Sequence, residues 1–279
     1  MRVIQARNAG FCFGVRRAIE TAERTAREAA GEPVHTDGPL IHNAHEVARL
    51  GRLGVHPCAD PAALPAGATV VVRAHGIPPA RRAWLEGLGL RVVDATCPRV
   101  AGIQRICREA AAAGRRVLVL GDAGHAEVVG LLGCAGPDAA VVDGPAAVEA
   151  LPDPGAPVTL VSQSTQAPER FRETADAVRR RWPDARIADT ICRATRDRQG
   201  ELGELAAGAD AIVVVGSPES ANTGRLASLA AALRPTVVVD SAEDLRAEDF
   251  AGAGTVGLTA GASTPDALIA AVRARLESM

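Results

Sequence analysis

Three cysteines of this 279-residue chain stand where a thiol could become a metal ligand. Cys12 lies between Gly10 and Gly14, directly before a run with helical periodicity, and the free N–H groups at a helix start favour a thiolate. Cys97 and Cys192 each follow an aspartate by three residues, at the end of a strand-like run and before another helical run. The intervals from 12 to 97 and from 97 to 192, 85 and 95 residues, are each about one small α/β unit long.

One cysteine per unit, at the carboxyl end of a parallel strand, predicts a three-cysteine site assembled from three domains. Four-cysteine sites suit closed zinc or iron–sulfur centres. A [4Fe–4S] cluster held by three cysteines leaves one iron without a cysteine ligand, and that iron could polarise a substrate oxygen. Cys107 lies on the apolar face of a helical run and is predicted to be core. Cys58, in a proline- and alanine-rich loop, and Cys134, in a Gly-Cys-Ala-Gly turn, are assigned no role.

Polar side chains at the predicted strand ends indicate an anion site. Histidines, hydroxyls and amides together with helix N-termini are best suited to a phosphate group. Glu127, two residues after His125, could donate the proton that a reduction needs. The candidate catalytic residues are Glu127, Ser164 and His125, and the candidate binding residues are His42, His75, His125, Ser164, Thr165, Ser220, Asn222 and Ser263.

Strand-like and helix-like runs alternate along the chain, which predicts an α/β fold with mostly parallel sheets. Apolar runs such as Thr69–Val72 and Ala211–Val215 are predicted strands, and Pro168–Arg181 is a predicted helix. The expected domains are residues 1–97, 98–192 and 193–279, with the alternative that the N-terminal strand joins the third domain.

The composition is that of a globular protein, with 47% hydrophobic residues and a formal net charge of −2. We expect no nucleic-acid partner, because there is no basic excess, and no membrane partner, because no run of ~18 apolar residues exists. The strand-like start is unlike a secretory signal, and the six cysteines show no close pairing that would suggest a disulfide framework. We therefore expect a reduced protein in the cytoplasm.

Taken in order, these motifs resemble those of the 4-hydroxy-3-methylbut-2-enyl diphosphate reductase (IspH/LytB) family, and the resemblance covers nearly the whole chain. The matching segments are Gly10-Phe11-Cys12-Phe13-Gly14-Val15, His42-Asn43, Ala74-His75-Gly76, Asp94-Ala95-Thr96-Cys97-Pro98, Gly124-His125-Ala126-Glu127-Val128, Asp189-Thr190-Ile191-Cys192, Asn222 in its serine-bearing loop, and Thr259-Ala260-Gly261-Ala262-Ser263.

The resemblance implies three α/β domains around a pseudo-threefold axis, with an oxygen-sensitive [4Fe–4S] cluster at the centre. Cys12, Cys97 and Cys192 match the cluster ligands, Glu127 matches the proton donor, and Ser164 stands where the family has a proton-relaying threonine. The residues that match the diphosphate-binding set are His42, His75, His125, Ser220, Asn222 and Ser263.

The family's reaction, which the resemblance implies for this chain, removes an allylic hydroxyl as water with two electrons and two protons. It converts 4-hydroxy-3-methylbut-2-enyl diphosphate into isopentenyl and dimethylallyl diphosphate, in the methylerythritol phosphate route to isoprenoids. A ferredoxin or flavodoxin supplies the electrons. The implied partners are therefore an allylic diphosphate and a small redox protein.

Two segments depart from the family pattern. Ala221 replaces the second serine of the usual Ser-Ser-Asn, and the segment from Arg193 to Asp197 differs from the usual sequence after the third cysteine, whereas Ser164-Thr165 keeps both hydroxyls of the usual threonine pair. These departures leave open a divergent member that dehydroxylates a different substrate. A second alternative is a non-enzymatic iron–sulfur sensor or zinc-binding protein that uses the same cysteines.

Overall fold

The computed structural model describes residues 1–279 and contains twelve β-strands and ten α-helices. The strands are β1 (Arg2–Gln5), β2 (Val34–Asp37), β3 (Val55–Cys58), β4 (Thr69–Val72), β5 (Arg91–Asp94), β6 (Arg116–Leu120), β7 (Ala140–Val142), β8 (Val158–Ser162), β9 (Arg186–Ile187), β10 (Ala211–Val215), β11 (Thr236–Val239) and β12 (Thr255–Ala260). The helices are α1 (Phe13–Glu28), α2 (Ala44–Gly51), α3 (Pro79–Gly87), α4 (Pro98–Ala112), α5 (Ala126–Ala135), α6 (Pro145–Ala150), α7 (Pro168–Arg181), α8 (Arg193–Ala207), α9 (Ala221–Ala231) and α10 (Asp266–Glu277).

The first of two compact units comprises residues 1–16, 41–48 and 193–279. It contains one sheet in the order β1-β12-β10-β11, in which all neighbours are parallel. Alternate residues of β10 face opposite sides of the sheet. Ile212 and Val214 pack with Leu226 of α9, whereas Val213 and Val215 pack with Val272 of α10. The sheet is therefore covered by helices on both faces.

The second unit comprises residues 17–40 and 49–192 and contains two parallel sheets, ordered β3-β2-β4-β5 and β7-β6-β8-β9. Helix α5 contacts both α3 and α4. The approach to α3 is close because Gly133 of α5 has no side chain: a Cβ there would lie 2.5 Å from the Cβ of Pro78. The core of the second sheet includes Cys107, which is fully buried, so the predicted core position of this thiol is confirmed.

The predicted α/β fold class with parallel sheets is confirmed, and α7, β4 and β10 have the predicted bounds. Two local expectations are wrong. Cys58 ends strand β3 instead of lying in a loop, and Cys134 lies inside α5 instead of in a turn. Strand β3 has only four residues, VHPC, which are too few and too polar to predict a strand from the sequence. It forms because it pairs with β2. The three domain boundaries stay a prediction.

Among the ten helices, none combines the length and the apolar character that a membrane crossing requires.

Candidate active site

Each cysteine of the predicted ligand set directly precedes the first residue of a helix. Cys12 stands before α1, Cys97 before α4 and Cys192 before α8. All three are partly exposed free thiols. The unbonded N–H groups of a helix start stabilise a thiolate, which is the form that binds a metal.

Two other cysteines lie in a different environment. Cys107 and Cys134 are both buried, and burial raises the pKa of each thiol, that of Cys107 to about 12. Proximity to Cys134 raises the pKa of Cys107 further, and Arg108 opposes the rise. Thiols that stay protonated and buried are poor metal ligands. Burial therefore separates these two cysteines from the predicted set.

The aspartates that stand three residues before Cys97 and Cys192 have a structural role. The Oδ1 of Asp94 accepts the N–H of Thr96 at 2.9 Å, and the Oδ1 of Asp189 accepts the N–H of Ile191 at 3.3 Å. A side chain that binds the backbone two residues on closes an Asx-turn. Partial burial raises the pKa of Asp94, but hydrogen bonds from Thr96 and the Arg82 guanidinium outweigh it, so the pKa lies below its ordinary value.

The loop of Cys192 is tied to the end of strand β8. The Cys192 N–H donates to the carbonyl oxygen of Ser164 at 2.8 Å. The Thr190 hydroxyl accepts the N–H of Ser162 at 2.7 Å and donates to the Ser162 carbonyl at 2.7 Å. The Thr190 side chain thus supplies the hydrogen bonds that a neighbouring strand would give to Ser162, which is fully buried. These bonds hold the loop of Cys192 beside Ser164.

We predict that Thr190→Val lowers the free energy of unfolding by about 1–3 kcal/mol, because the buried Ser162 N–H loses its acceptor without a change in side-chain shape. Thr236→Val is the matched control: its hydroxyl donates to the Arg234 carbonyl at an exposed position, so the expected change is within about 0.5 kcal/mol. Denaturant unfolding of both variants measures the difference. Equal destabilisation by the two substitutions would contradict the role given to Thr190.

The buried carboxylate of Glu127 is bound on both oxygens by one residue. Its Oε1 accepts the backbone N–H of Ser164 at 2.6 Å, and its Oε2 accepts the Ser164 hydroxyl at 2.7 Å. Glu127 lies in the first turn of α5, where the helix dipole favours a negative charge, and is 2% exposed. The predicted acid and the predicted relay hydroxyl are therefore in direct contact.

Two of the predicted histidines are neighbours in the second unit. His125 is the N-cap of α5, and its Nδ1 accepts the N–H of Glu127 at 3.2 Å. With Nδ1 as acceptor, the neutral imidazole carries its proton on Nε2, which can donate to an anion. His75 follows β4, and its ring centroid lies 5.3 Å from that of His125. The Cys97 N–H donates to the carbonyl of Ala74, the residue before His75, and this hydrogen bond joins the loop of Cys97 to the loop of His75.

In the first unit, the loop of Cys12 is held from two sides. The Cys12 N–H donates to Ala262 at 3.1 Å, and the buried Arg198 guanidinium donates to the Gly10 carbonyl. Gly10 has φ +95°, and a Cβ there would lie 2.7 Å from the Oδ1 of Asp266. Glycine is therefore required two residues before the cysteine, for conformation and for space.

The other candidate binding residues of the first unit lie at helix starts and strand ends. The Ser263 hydroxyl donates to the His42 carbonyl at 3.2 Å. Ser220 is the N-cap of α9, and its hydroxyl accepts the N–H of Thr223 at 3.4 Å. Asn222, in the first turn of α9, is buried, and its Nδ2 has no hydrogen-bond partner. A buried amide donor without an acceptor is costly and fits a ligand oxygen.

The structure groups the predicted residues by unit. Arg198 and Thr190 were missed by sequence reasoning, although each stands within or just after a motif that was recognised, and their partners are distant in the sequence. The convergence of all the predicted residues on one centre stays a prediction. The second unit carries Cys97, Cys192, His75, His125, Glu127, Ser164 and Thr165, and the first carries Cys12, His42, Ser220, Asn222 and Ser263.

Three parallel four-stranded sheets, with thiols, histidines and a buried carboxylate at the strand ends, define an α/β protein of the enzyme type. The chain belongs to the LytB protein family, whose model matches residues 3–277. The family predicted from the sequence motifs is confirmed.

Several relatives match over their full length and carry the same name. A 4-hydroxy-3-methylbut-2-enyl diphosphate reductase of Opitutus terrae is 41% identical, with 100% of both chains covered. One of Aquifex aeolicus is 39% identical, covering 99% of this chain and 96% of its own.

Solved structures agree with this assignment. The E-1-hydroxy-2-methyl-but-2-enyl-4-diphosphate reductase of Plasmodium falciparum aligns with a TM-score of 0.92 at 26% identity, over 96% of this chain and 86% of that one. An (E)-4-hydroxy-3-methyl-but-2-enyl diphosphate reductase, described as the terminal enzyme of the non-mevalonate pathway, aligns with a TM-score of 0.71 at 37% identity over 100% of both chains.

Proposed function

We propose that this protein is a 4-hydroxy-3-methylbut-2-enyl diphosphate reductase. It removes the allylic hydroxyl of its substrate as water, with two electrons and two protons, and forms isopentenyl and dimethylallyl diphosphate. The names of the full-length relatives support this reaction over a sensor or a zinc protein. The observation that carries it is the buried Glu127 carboxylate, two residues after His125, which accepts a hydrogen bond from the Ser164 hydroxyl.

The residues fit a [4Fe–4S] cluster that is held by Cys12, Cys97 and Cys192. Each is a free, partly exposed thiol at a helix start, and such a position favours the thiolate. When bound, a cluster with one iron lacking a cysteine ligand supplies electrons and a Lewis acid. No fourth partly exposed cysteine stands at a helix start, since Cys58 ends a strand.

The substrate's diphosphate is held by imidazole, amide and hydroxyl donors. The Nε2–H of His125 and the unsatisfied Nδ2–H of Asn222 supply donors that match phosphate oxygens. Ser220 and Asn222 stand at the N-terminus of α9, where the positive end of the helix dipole favours an anion. The full proposed substrate-binding set is His42, His75, His125, Ser164, Thr165, Ser220, Asn222 and Ser263.

Glu127 and Ser164 move the proton. A protonated Glu127 donates through the Ser164 hydroxyl, which lies 2.7 Å from its Oε2. A hydroxyl can both donate and accept a hydrogen bond and can therefore pass a proton on without net change. The carboxylate itself is almost completely buried, at 2% exposed. The departing hydroxyl leaves as water once it has received that proton.

We predict that Asn222→Ala raises KM for the diphosphate substrate by about tenfold to one-hundredfold and leaves kcat within a few-fold, because one hydrogen bond to a charged group is lost. Steady-state kinetics measure both constants. Asn8→Ala is the matched control, since its amide already donates to the Glu201 carboxylate at 2.7 Å. An unchanged KM in Asn222→Ala would remove this amide from the diphosphate site.

The function is tested by anaerobic turnover on protein already shown to carry iron and sulfide. Reduced viologen serves as donor, and its oxidation is followed after addition of 4-hydroxy-3-methylbut-2-enyl diphosphate. Rapid oxidation with five-carbon diphosphate products supports the proposal. No oxidation of the viologen by cluster-loaded protein would favour a different allylic alcohol as substrate. Ala221 and the Arg193–Asp197 segment would then be the residues that distinguish this chain from the reductases.

In the cell, the electrons would come from a ferredoxin or a flavodoxin-type protein. The six free thiols fit a reducing compartment, so we place the reaction in the cytoplasm.

A further inference from the structure

A cavity of about 380 Å³ lies at the carboxyl ends of β3, β2 and β4 in the second unit. None of the residues assigned to the proposed reaction lines it. Its polar lining consists of Asp37, Cys58, Arg73 and Arg81, and two guanidinium groups against one carboxylate leave a net charge of +1. Its volume is in the range of small-molecule sites.

The two arginines of this cavity differ in what holds them. Arg81 donates from Nη2 to the Asp37 carboxylate at 2.8 Å, and its guanidinium stacks 4.3 Å from the ring centroid of Trp84. Arg73 forms no such bond, and its buried Nε has no hydrogen-bond partner. Asp37 is thus hydrogen-bonded to Arg81, whereas Arg73 keeps an N–H donor, at Nε, that no protein group accepts.

The Arg73 guanidinium lies close to Gly38, at the end of the neighbouring strand β2. Gly38 has φ +77°, and a Cβ there would lie 3.4 Å from the Nη1 of Arg73, which is van der Waals contact. Burial lowers the pKa of Arg73, Asp37 opposes this change, and Arg81 adds to it. A partly buried cation without a hydrogen-bond acceptor is stabilised by a bound anion.

The rest of the wall is apolar. Ile77, Pro78 and Val129 line the cavity, and Val129 is 43% exposed although it lies in a helix that packs in the core. A bound molecule with an apolar part would cover this side chain. Cation and apolar wall together select for a molecule with one charged end.

We propose that this cavity binds a small amphiphilic oxyanion, a phosphate or carboxylate group joined to a short apolar chain, with the oxyanion on Arg73. This site goes beyond the proposed reaction and does not depend on it. Cys58 lines the same cavity and provides a local reporter, because an occupant shields its thiol from alkylation.

The test follows iodoacetamide labelling of Cys58 by peptide mass spectrometry in the cluster-loaded protein. Butyl phosphate and pentanoate are the phosphate and carboxylate probes, and butanol is the neutral control. We expect at least one of the two anions to slow labelling several-fold in the parent protein. Arg73→Gln should raise the anion concentration needed for that protection by about tenfold to one-hundredfold, because a charge-assisted hydrogen bond is lost, and Arg73→Lys should restore part of the affinity.

The matched control is Arg82→Gln, since Arg82 pairs with Glu86 and Asp94 outside the cavity and its loss should leave protection unchanged. Continued absence of label on the buried Cys107 shows that each variant is folded. Protection that survives Arg73→Gln, equal protection by butanol, or no protection by either anion would overturn the proposal. Protection that is lost instead in Asn222→Ala would assign the anion to the proposed substrate site and would also overturn it.

Discussion

Glu127→Gln should bind the diphosphate substrate as the parent protein does and lose turnover by about 10²–10⁴-fold, the usual contribution of a general acid. The amide keeps the shape of the carboxylate. Its Oε1 can still accept the Ser164 N–H, and its Nε2 can donate to the Ser164 hydroxyl, so both observed contacts persist. What is lost is the acidic proton.

This expectation is checked by kcat and by substrate affinity, measured separately on protein with equal iron content. Glu109→Gln is the matched control, because that carboxylate is exposed and pairs only with Arg105. Ser164→Ala should show a smaller loss, since water can replace a relay hydroxyl. Full activity of Glu127→Gln would remove this residue from the mechanism, and a parallel loss of substrate binding would make its role structural.

Substitution of Cys12, Cys97 or Cys192 by serine should deplete bound iron and sulfide and abolish turnover. The expected loss exceeds the ~10–100-fold effect of changing a residue that merely supports a metal ligand. The physical reason is that each of these thiols is free, partly exposed and directly before a helix, so that it can reach a metal and bind it as a thiolate. Iron and sulfide analysis of anaerobically purified protein measures the effect before any activity assay.

The chain contains its own controls for this series. Cys58→Ser, Cys107→Ser and Cys134→Ser should keep iron, because the first ends a strand and the other two are buried thiols with raised pKa values. Cys107→Ser should lower stability, since it places a hydroxyl in a fully buried apolar cluster. Loss of iron from this second group, with retention in the first, would overturn the assignment of ligands.

The sequence by itself determined the alternation of strands and helices, the parallel α/β class and the candidate cysteines. These features are local: periodicity of apolar residues, glycines beside a turn, and an aspartate two residues before the N–H that it accepts. For the same reason α7 and β10 have the bounds that their residues predict. Short strands such as β3 carry too little local signal, and they form because a neighbour pairs with them.

Only the tertiary structure decided which polar groups meet. Glu127 and Ser164 are 37 residues apart, and Arg198 and Gly10 are 188 apart, so no spacing rule predicts either contact. Likewise β1 pairs with β12, which joins the two ends of the chain in one sheet. Such contacts arise because burial of both sheet faces brings distant strand ends together, and each buried donor must then find an acceptor there.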